Sequence, residues 1–282
     1  MRERVETHKA LGEKIFLNEF FWKTTFPHRV MPMEDEWLPG VLLRCDEANH
    51  WGSGMTMTHL FRSISRSLLR GRKGKPGWIV VPSPALEYMA QVLAIPVSRL
   101  LVTTYQAELA RLYAPSGPHA AQLSAARPLH LCPVCIAEAR FLRRITILPH
   151  IHFCPHHQVV LVSVCRCGTG LQLFSQRSQP FVCCDCGWEW ARLSLFPAPP
   201  ERFQLEQKAL SCYELFFTQG TPQLLARALK LIREKLKQEK IIQVRLLDGT
   251  IKHVEHYELT KASLGYLVDL LVSLDLSPQL ME

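Results

Sequence analysis

Four pairs of cysteine and histidine residues follow one another in the middle of the chain, and these side chains are ligands that Zn2+ favours. Each pair has one or two residues between its members, and the pairs are Cys132/Cys135, Cys154/His157, Cys165/Cys167 and Cys183/Cys186. Pairs of this kind that lie roughly 12 to 20 residues apart are typical of zinc fingers and zinc ribbons. The sequence therefore predicts two structural Zn2+ ions, each with four ligands.

The spacing alone leaves the pairing of these ligands open. Sequential pairing joins the first pair with the second and the third with the fourth, and this is the arrangement we expect. A cross-braced arrangement, which joins the first pair with the third, uses the same residues. Cys184 competes with Cys183 as a ligand, and His156 competes with His157.

The chemistry around these pairs argues against an enzyme. A catalytic zinc keeps an open coordination position and needs a nearby acid or base, whereas here each ion has four candidate ligands. Residues 132–190 contain three acids, Glu138, Asp185 and Glu189. The glutamate of the zinc deaminase signature is missing, and we find no H-E-x-x-H, phosphate-loop or nucleophile-elbow motif. Both metal sites are therefore predicted to stabilise the fold.

The charge distribution points to a polyanionic partner. The 282-residue chain has a net charge of +8, yet residues 201–282 hold 11 basic and 11 acidic residues, so the excess lies before them. Residues 48–86 and 139–184 contain no acid, and such basic surfaces attract nucleic acids. The candidate nucleic-acid-binding residues are Arg62, Arg66, Arg70, Arg72, Lys73, Lys75, Arg140, Arg143 and Arg144. A solvated face with a mild charge bias is the alternative.

Helical periodicity on both sides of the cysteine-rich part predicts a mainly α fold with small zinc-ribbon β elements. We expect an N-terminal helical domain over residues 1–127, a double zinc-finger module over 128–197, and a mainly helical C-terminal extension with a hairpin over 198–282. The break FPAPPER marks the second boundary.

Within the N-terminal domain, the apolar spacing from Leu86 to Leu93 predicts a helix, and the break AIPV follows it. Ser98 is a candidate N-cap of a second helix that runs to Leu112. Two helices joined by a tight turn predict a helix-turn-helix, although ordinary packing in a helical bundle is the alternative.

Further along the chain, QVVLVSV at 158–164 is predicted to be a short strand between the metal sites. The dipeptide Asp248-Gly249 predicts a β-hairpin. Thr260 is a candidate cap for a final helix.

The cysteine-rich part resembles the TniQ/TnsD family of transposition proteins. Four motifs carry the resemblance: C-P-x-C at 132–135, C-P-x-H at 154–157 followed by an apolar run, C-x-C-G at 165–168 and C-x2-C-G at 183–187. The segment EDEWLPGVLLRCDEANHWG is also similar to the opening motif of that family. The matching residues are Asp35 or Glu36, Leu42, Leu43, Arg44, Glu47, Ala48 and Asn49. The resemblance spans about residues 30–190, and residues 201–282 match no motif of the family.

Two departures from the family pattern leave every metal ligand in place. The serine that follows the glutamate of the opening motif is absent. The tryptophan often found between the first two cysteine motifs is replaced around residues 145–147.

The resemblance implies a non-enzymatic target-selection adaptor in DNA transposition, which links a target-bound complex or a DNA site to the AAA+ regulator TnsC. Because residues 201–282 have no basic excess, we expect contact with protein, in particular with a CRISPR effector complex and its guide RNA. The alternative is a sequence-specific, zinc-containing DNA-binding protein that recognises an attachment site. Phe20, Phe21 and Trp22 are candidate partner-binding residues, although they can equally pack on the zinc module of the same chain.

The location that the sequence predicts follows from its apolar content. We find no apolar run of about 18 residues and no signal-peptide pattern at the N-terminus. We therefore expect a cytoplasmic, nucleoid-associated prokaryotic protein without membrane contact. In the cytoplasm, ten cysteines favour metal binding over disulfides.

Overall fold

A computed structural model describes residues 27–63, 81, 83–113, 129–175, 178–239, 243–254 and 263–281. These residues form ten α-helices, two short 3-10 turns and one two-stranded sheet, so the predicted mainly α fold class is confirmed. Five helices precede the cysteine-rich part: α1 Leu38–Ala48, α2 Met55–Ser63, α3 Ser83–Leu93, α4 Val97–Leu101 and α5 Gln106–Leu112. The others are α6 Pro133–Ala139, α7 Pro200–Gln219, α8 Pro222–Gln238, α9 Leu264–Ser273 and α10 Ser277–Met281. The strands are β1 Gln243–Arg245 and β2 Ile251–His253.

Two separate clusters of buried side chains hold the described residues together. The first, here named the N-terminal core, joins α1, α2, α3 and Leu100 of α4 to residues 165–193, including the fully buried Phe181 and Trp190. The second, the C-terminal core, joins α5 and the 132–161 segment to helices α7 to α10 and the hairpin. The cysteine-rich part therefore contributes to both cores: its second half packs in the N-terminal core, and its first half packs mainly in the C-terminal core, with Leu131, Ile136 and Leu142 in the N-terminal core.

The chain between α3 and α5 differs from the predicted helix-turn-helix. The second predicted helix is interrupted at residues 102–105, so α4 and α5 are separate helices. The hydroxyls of Thr103 and Thr104 donate to the carbonyls of Leu100 and Leu101, at 2.6 and 2.8 Å. These local bonds compete with helix continuation. The cap of α4 is Pro96 rather than Ser98, because the first turn closes on the Pro96 carbonyl.

The hairpin lies where Asp248-Gly249 predicts it. β1 and β2 pair antiparallel, with Val244 opposite Lys252. Gly249 has φ +85°, a backbone conformation that suits glycine. Val244 is buried in the C-terminal core, so the hairpin packs on the helices through one face.

The predicted strand at residues 158–164 and the predicted helix cap at Thr260 have different outcomes. Residues 158–164 make single bridges rather than a regular strand, because Val159, Val160 and Val162 pair with three different segments. Thr260 lies outside the described residues. The observed cap of α9 is Ser263, whose hydroxyl accepts the amide of Tyr266.

Candidate metal centres

The first group of metal ligands is built by a helix start and a tight turn. Cys132 is the N-cap of α6, and Cys135 lies one turn into that helix. Cys154 and His157 come from a turn that is closed by the Gln158 amide donating to the Cys154 carbonyl at 2.8 Å. The four ligand atoms lie within 4.8 Å of one another. We name this group the first tetrad.

The distances within the first tetrad fit one tetrahedral Zn2+ ion. His157 Nδ1 lies 3.4, 3.3 and 3.4 Å from the sulfurs of Cys132, Cys135 and Cys154, and the Cys135 and Cys154 sulfurs are 3.8 Å apart. A tetrahedron with Zn–S of about 2.3 Å and Zn–N of about 2.0 Å has S–S edges of about 3.8 Å and S–N edges of about 3.5 Å. The donors thus already stand at the corners that such an ion requires.

The second group, here named the second tetrad, consists of Cys165, Cys167, Cys183 and Cys186. The Cys165 and Cys186 sulfurs are 3.5 Å apart, and those of Cys167 and Cys183 are 3.7 Å apart. Glycines 168 and 187 follow the ligands with φ of +87° and +69°, and their amides close turns on the carbonyls of Cys165 and Cys183. Four sulfur donors at these distances also fit Zn2+.

The structure therefore brings the candidate ligands together in the sequential pairs that we expect, and not in the cross-braced arrangement that the spacing also allows. It places His157 in the first tetrad while His156 is exposed, and Cys183 in the second tetrad while Cys184 is outside it. Each tetrad can hold one metal ion. The two differ in exposure: the three sulfur ligands of the first are buried, whereas Cys167 and Cys186 of the second are exposed.

Two side chains that sequence reasoning did not assign to a metal site contact the ligands of the first tetrad. Glu138 Oε2 lies 3.1 Å from His157 Nε2, on the side of the ring opposite the sulfurs. With a metal ion on Nδ1, the Nε2–H group would donate a hydrogen bond to Glu138. Arg143 Nε donates to the Cys135 sulfur at 3.2 Å. Each contact helps to orient one metal ligand, His157 or Cys135.

Three arginines predicted to bind nucleic acid are engaged within the fold. Arg140 pairs with Glu47 at 3.3 Å, and Arg144 pairs with Glu108 at 2.6 Å. Arg143 and Arg144 both face Asp35, at 3.8 and 4.0 Å. Burial raises the pKa of Asp35 to about 6, although the guanidiniums of Arg144 and Arg143 lower it. These arginines connect α1 and α5 with the cysteine-rich part, and their contact with nucleic acid stays a prediction.

The remaining candidate side chains lie outside those that the structure describes. They are Arg62, Arg66, Arg70, Arg72, Lys73 and Lys75 of the basic stretch, and Phe20, Phe21 and Trp22 of the partner-binding candidate. Their roles stay predictions.

The residues of the opening motif hold the start of the described chain against α1. Arg44 donates from Nε and NH2 to the two carboxylate oxygens of Glu36, which is fully buried, at 2.8 and 2.6 Å. Arg44 also donates to the Met31 carbonyl. The Asn49 side chain bonds both backbone groups of His28. The side chains of the motif thus attach residues 28–36 to α1 by hydrogen bonds, in addition to the backbone bonds of the helix.

Acids of the C-terminal helices anchor the first half of the cysteine-rich part. Glu206 of α7 accepts the amides of His152 and Phe153 at 2.7 and 3.1 Å, and the His152 ring at 2.9 Å. Asp269 of α9 lies 3.3 Å from His150 Nε2. The spacing of these histidines relative to the cysteines gave no signal of these contacts, because their partners lie more than 50 residues away.

No helix among the described residues is both long and apolar enough to cross a membrane.

Residues 27–161 match the model of the TniQ family. This range covers α1 to α6 and the first tetrad, and it ends before the second tetrad. No curated protein matches the chain. The predicted resemblance is confirmed over this range: residues 27–161 of the chain are a TniQ domain.

Proposed function

We propose that the chain is a non-enzymatic target-selection adaptor in DNA transposition, which links a target-bound complex to the AAA+ regulator TnsC. The TniQ domain over residues 27–161 carries this proposal, because the family implies a role in choosing transposition targets. The target-bound partner that we propose is a CRISPR effector complex with its guide RNA. Residues 201–282 support this choice, since equal numbers of acids and bases offer no basic excess for reading DNA.

Two structural Zn2+ ions belong to this proposal. In each tetrad four ligands surround one position, so neither ion would keep the open site that a catalytic zinc needs. The three acids near the tetrads also have partners within the chain. Glu138 contacts His157, Asp185 accepts the Thr169 hydroxyl at 2.6 Å, and Glu189 pairs with Arg192 at 3.1 Å. This arrangement supports a scaffold rather than a reactive centre.

The experiment that tests the adaptor role is a pull-down of TnsC by the tagged chain, with and without ATP and duplex DNA. We expect capture of TnsC that depends on ATP and DNA. The triple variant Phe20→Ala/Phe21→Ala/Trp22→Ala tests the proposed partner contact, with wild-type zinc content as evidence that it is folded. Failure to capture TnsC under any of these conditions would refute the link to the regulator.

A second candidate, direct reading of an attachment site, is favoured by the exposure of α4. Val97, Ser98 and Arg99 are exposed on this short helix, which follows α3 after a three-residue turn. A specific reader prefers its site over random DNA by about 1000-fold or more. The adaptor should instead bind DNA weakly, with little sequence preference and a steep dependence on salt. Competition with random DNA at two salt concentrations separates the two functions.

The basic stretch is tested by the triple variant Arg62→Ala/Arg66→Ala/Arg70→Ala. If these arginines contact nucleic acid, the variant should bind DNA or the guide complex more weakly and show a flatter salt dependence. Binding with an unchanged salt dependence would assign the stretch to a solvated face.

A further inference from the structure

Arg143 makes three contacts that hold its guanidinium in one position beside the first tetrad. Its Nε donates to the Cys135 sulfur at 3.2 Å, and its NH1 lies 3.8 Å from Asp35 Oδ2. Its guanidinium carbon lies 4.7 Å from the centre of the Phe141 ring. The side chain is only 18% exposed. A planar guanidinium can satisfy a sulfur, a carboxylate and a ring face together, whereas a lysine ammonium cannot.

The charge of the first tetrad explains why a cation is needed there. Three thiolates and one Zn2+ ion sum to one negative charge, and all three sulfur ligands are buried. A buried charge without a partner costs free energy, which a neighbouring guanidinium offsets. The two neighbouring arginines have other partners, since Arg140 pairs with Glu47 and Arg144 with Glu108. Among the described residues, Arg143 is the cation with an observed contact to these sulfurs.

The backbone around Arg143 also connects the first tetrad to the segment before α1. Residues 35–37 run alongside residues 142–144: the Trp37 amide donates to the Leu142 carbonyl, and the Arg144 amide donates to the Asp35 carbonyl, both at 2.8 Å. Glu36 and Arg143 form a bridge between the two segments. The side chain and the backbone of the same short stretch thus face both the metal ligands and the N-terminal helices.

We propose that Arg143 is a positioning residue that couples metal binding at the first tetrad to the docking of residues 35–37. With the ion bound, the Cys135 sulfur is held in the position where it accepts the Arg143 N–H bond, and this bond holds the guanidinium where it meets Asp35. Without the ion, nothing fixes that sulfur beside the guanidinium, and residues 35–37 lose one of their attachments to the cysteine-rich part. The coupling rests on the zinc part of the proposed function and does not involve TnsC or DNA.

The test compares Arg143→Gln with the neighbouring Arg140→Gln, which removes the same charge from a side chain that has no contact with the sulfurs. Free zinc is set with a chelator buffer, and hydrogen exchange is followed by mass spectrometry. Peptides around residues 131–137 report the first tetrad, those around 181–189 report the second, and those around 35–37 report the docked segment. Arg143→Lys is measured in parallel because it keeps the charge and tests rescue.

Removal of a side chain that orients a metal ligand typically weakens metal binding by about 10- to 100-fold. We expect Arg143→Gln to weaken zinc binding at the first tetrad by this factor while the second tetrad is unchanged. Exchange at residues 35–37 should then no longer respond to zinc as it does in the wild type. Arg143→Lys should recover part of the affinity, and Arg140→Gln should match the wild type.

Three results would overturn the coupling. They are an Arg143→Gln variant that binds both ions as tightly as the wild type, equal losses at both tetrads, and zinc-independent exchange at residues 35–37 in the wild type. If Arg143→Gln does not fold, Arg143→Lys decides, because wild-type affinity and wild-type exchange in that variant would show that the sulfur–guanidinium–carboxylate geometry is not needed. A wild-type chain without zinc at the first tetrad would overturn the zinc part of the proposed function as well, whereas two bound ions and an unaffected Arg143→Gln would overturn the coupling alone.

Discussion

Loss of one metal should loosen a different set of helices from loss of the other, because the two tetrads lie in different cores. Cys132, Cys135 and Cys154 are buried in the C-terminal core, whereas Cys165 and Cys183 are buried in the N-terminal core. The matched perturbations are Cys154→Ser for the first tetrad and Cys183→Ser for the second. Each replaces a buried sulfur ligand, 0% and 4% exposed, by the same poorer ligand.

The expected magnitude follows from the two free energies involved. A structural Zn2+ contributes about 10 to 16 kcal/mol to folding, while a whole domain is stable by about 5 to 15 kcal/mol. Loss of the ion therefore removes as much free energy as a core has in total. Even a partial loss of about 4 kcal/mol raises the opening equilibrium roughly 1000-fold, so the amides of the affected helices should exchange faster than in the wild type by about that factor.

Hydrogen exchange measured by mass spectrometry distinguishes the two outcomes. Cys154→Ser should release protection in α7 and α9, and Cys183→Ser should release it in α1 and α3. Cys212→Ser is the control, because Cys212 is fully buried in the C-terminal core but is not a ligand. Its expected cost is only about 1 to 3 kcal/mol, from burying a hydroxyl.

The reasoning would be refuted by a Cys154→Ser variant that loosens α1 and α3 as much as α7 and α9. It would equally be refuted if Cys154→Ser lost its zinc at the first tetrad and kept wild-type protection in the C-terminal helices. Zinc content, measured on the same samples, separates these results from incomplete metal loss.

Three further perturbations test the contacts around the cores. Burial raises the pKa of Asp269 from 3.8 to about 6, and the charged or titratable groups beside it are His150, Asp248 and Lys252. The folded state therefore binds the proton of this carboxyl more tightly than the unfolded state does. Ionisation between about pH 4 and pH 6 then costs the folded state about 3 kcal/mol at most. The free energy of unfolding of Asp269→Asn, measured with urea, should therefore rise relative to that of the wild type by about that amount as the pH rises through this window. Parallel pH curves for the two proteins would contradict the assignment. Glu206→Ala should lower the free energy of unfolding by about 3 kcal/mol, because it strips two backbone amides of a charged acceptor; an unchanged urea midpoint would show that these bonds add nothing. Asp46→Ala should cost about 2 kcal/mol, since its carboxylate accepts the amides at the start of α2. The control is Glu47→Ala at the neighbouring position, where the side chain is only partly buried and its pair with Arg140 contributes little.

Much of the metal chemistry was predictable because its signal is local. Two ligands two or three residues apart in a turn must lie close together, so each of the four pairs was predictable. The spacing did not decide which pairs combine, and the fold selects the sequential arrangement. The hairpin was predictable for the same reason, since the turn residues Asp248-Gly249 lie directly between the two strands that they connect. The apolar spacing from Leu86 to Leu93 also predicts a helix correctly, because this period can be read without knowledge of the partner surface.

The contacts that the sequence did not reveal are those decided by distant partners. The break between α4 and α5 depends on two threonine hydroxyls that compete with the helix, a small effect that apolar spacing does not register. Arg143 and Arg144 look like members of an acid-free basic stretch, but Asp35 and Glu108, far away in sequence, meet them in the fold. Charge counted along the chain is therefore a poor guide to charge exposed on the surface.

The anchoring of α7 has a practical consequence for how the chain can be divided. The break at residues 197–200 suggests a natural place to cut, yet Tyr213 and Phe216 beyond it are fully buried together with Leu148, Ile151 and other residues before it. A fragment that stops at the linker would leave the apolar side of the first tetrad open to solvent, and such surfaces drive aggregation. Expression fragments and chimaeras should therefore keep the last helices with the first tetrad and treat the pair as a single folding unit.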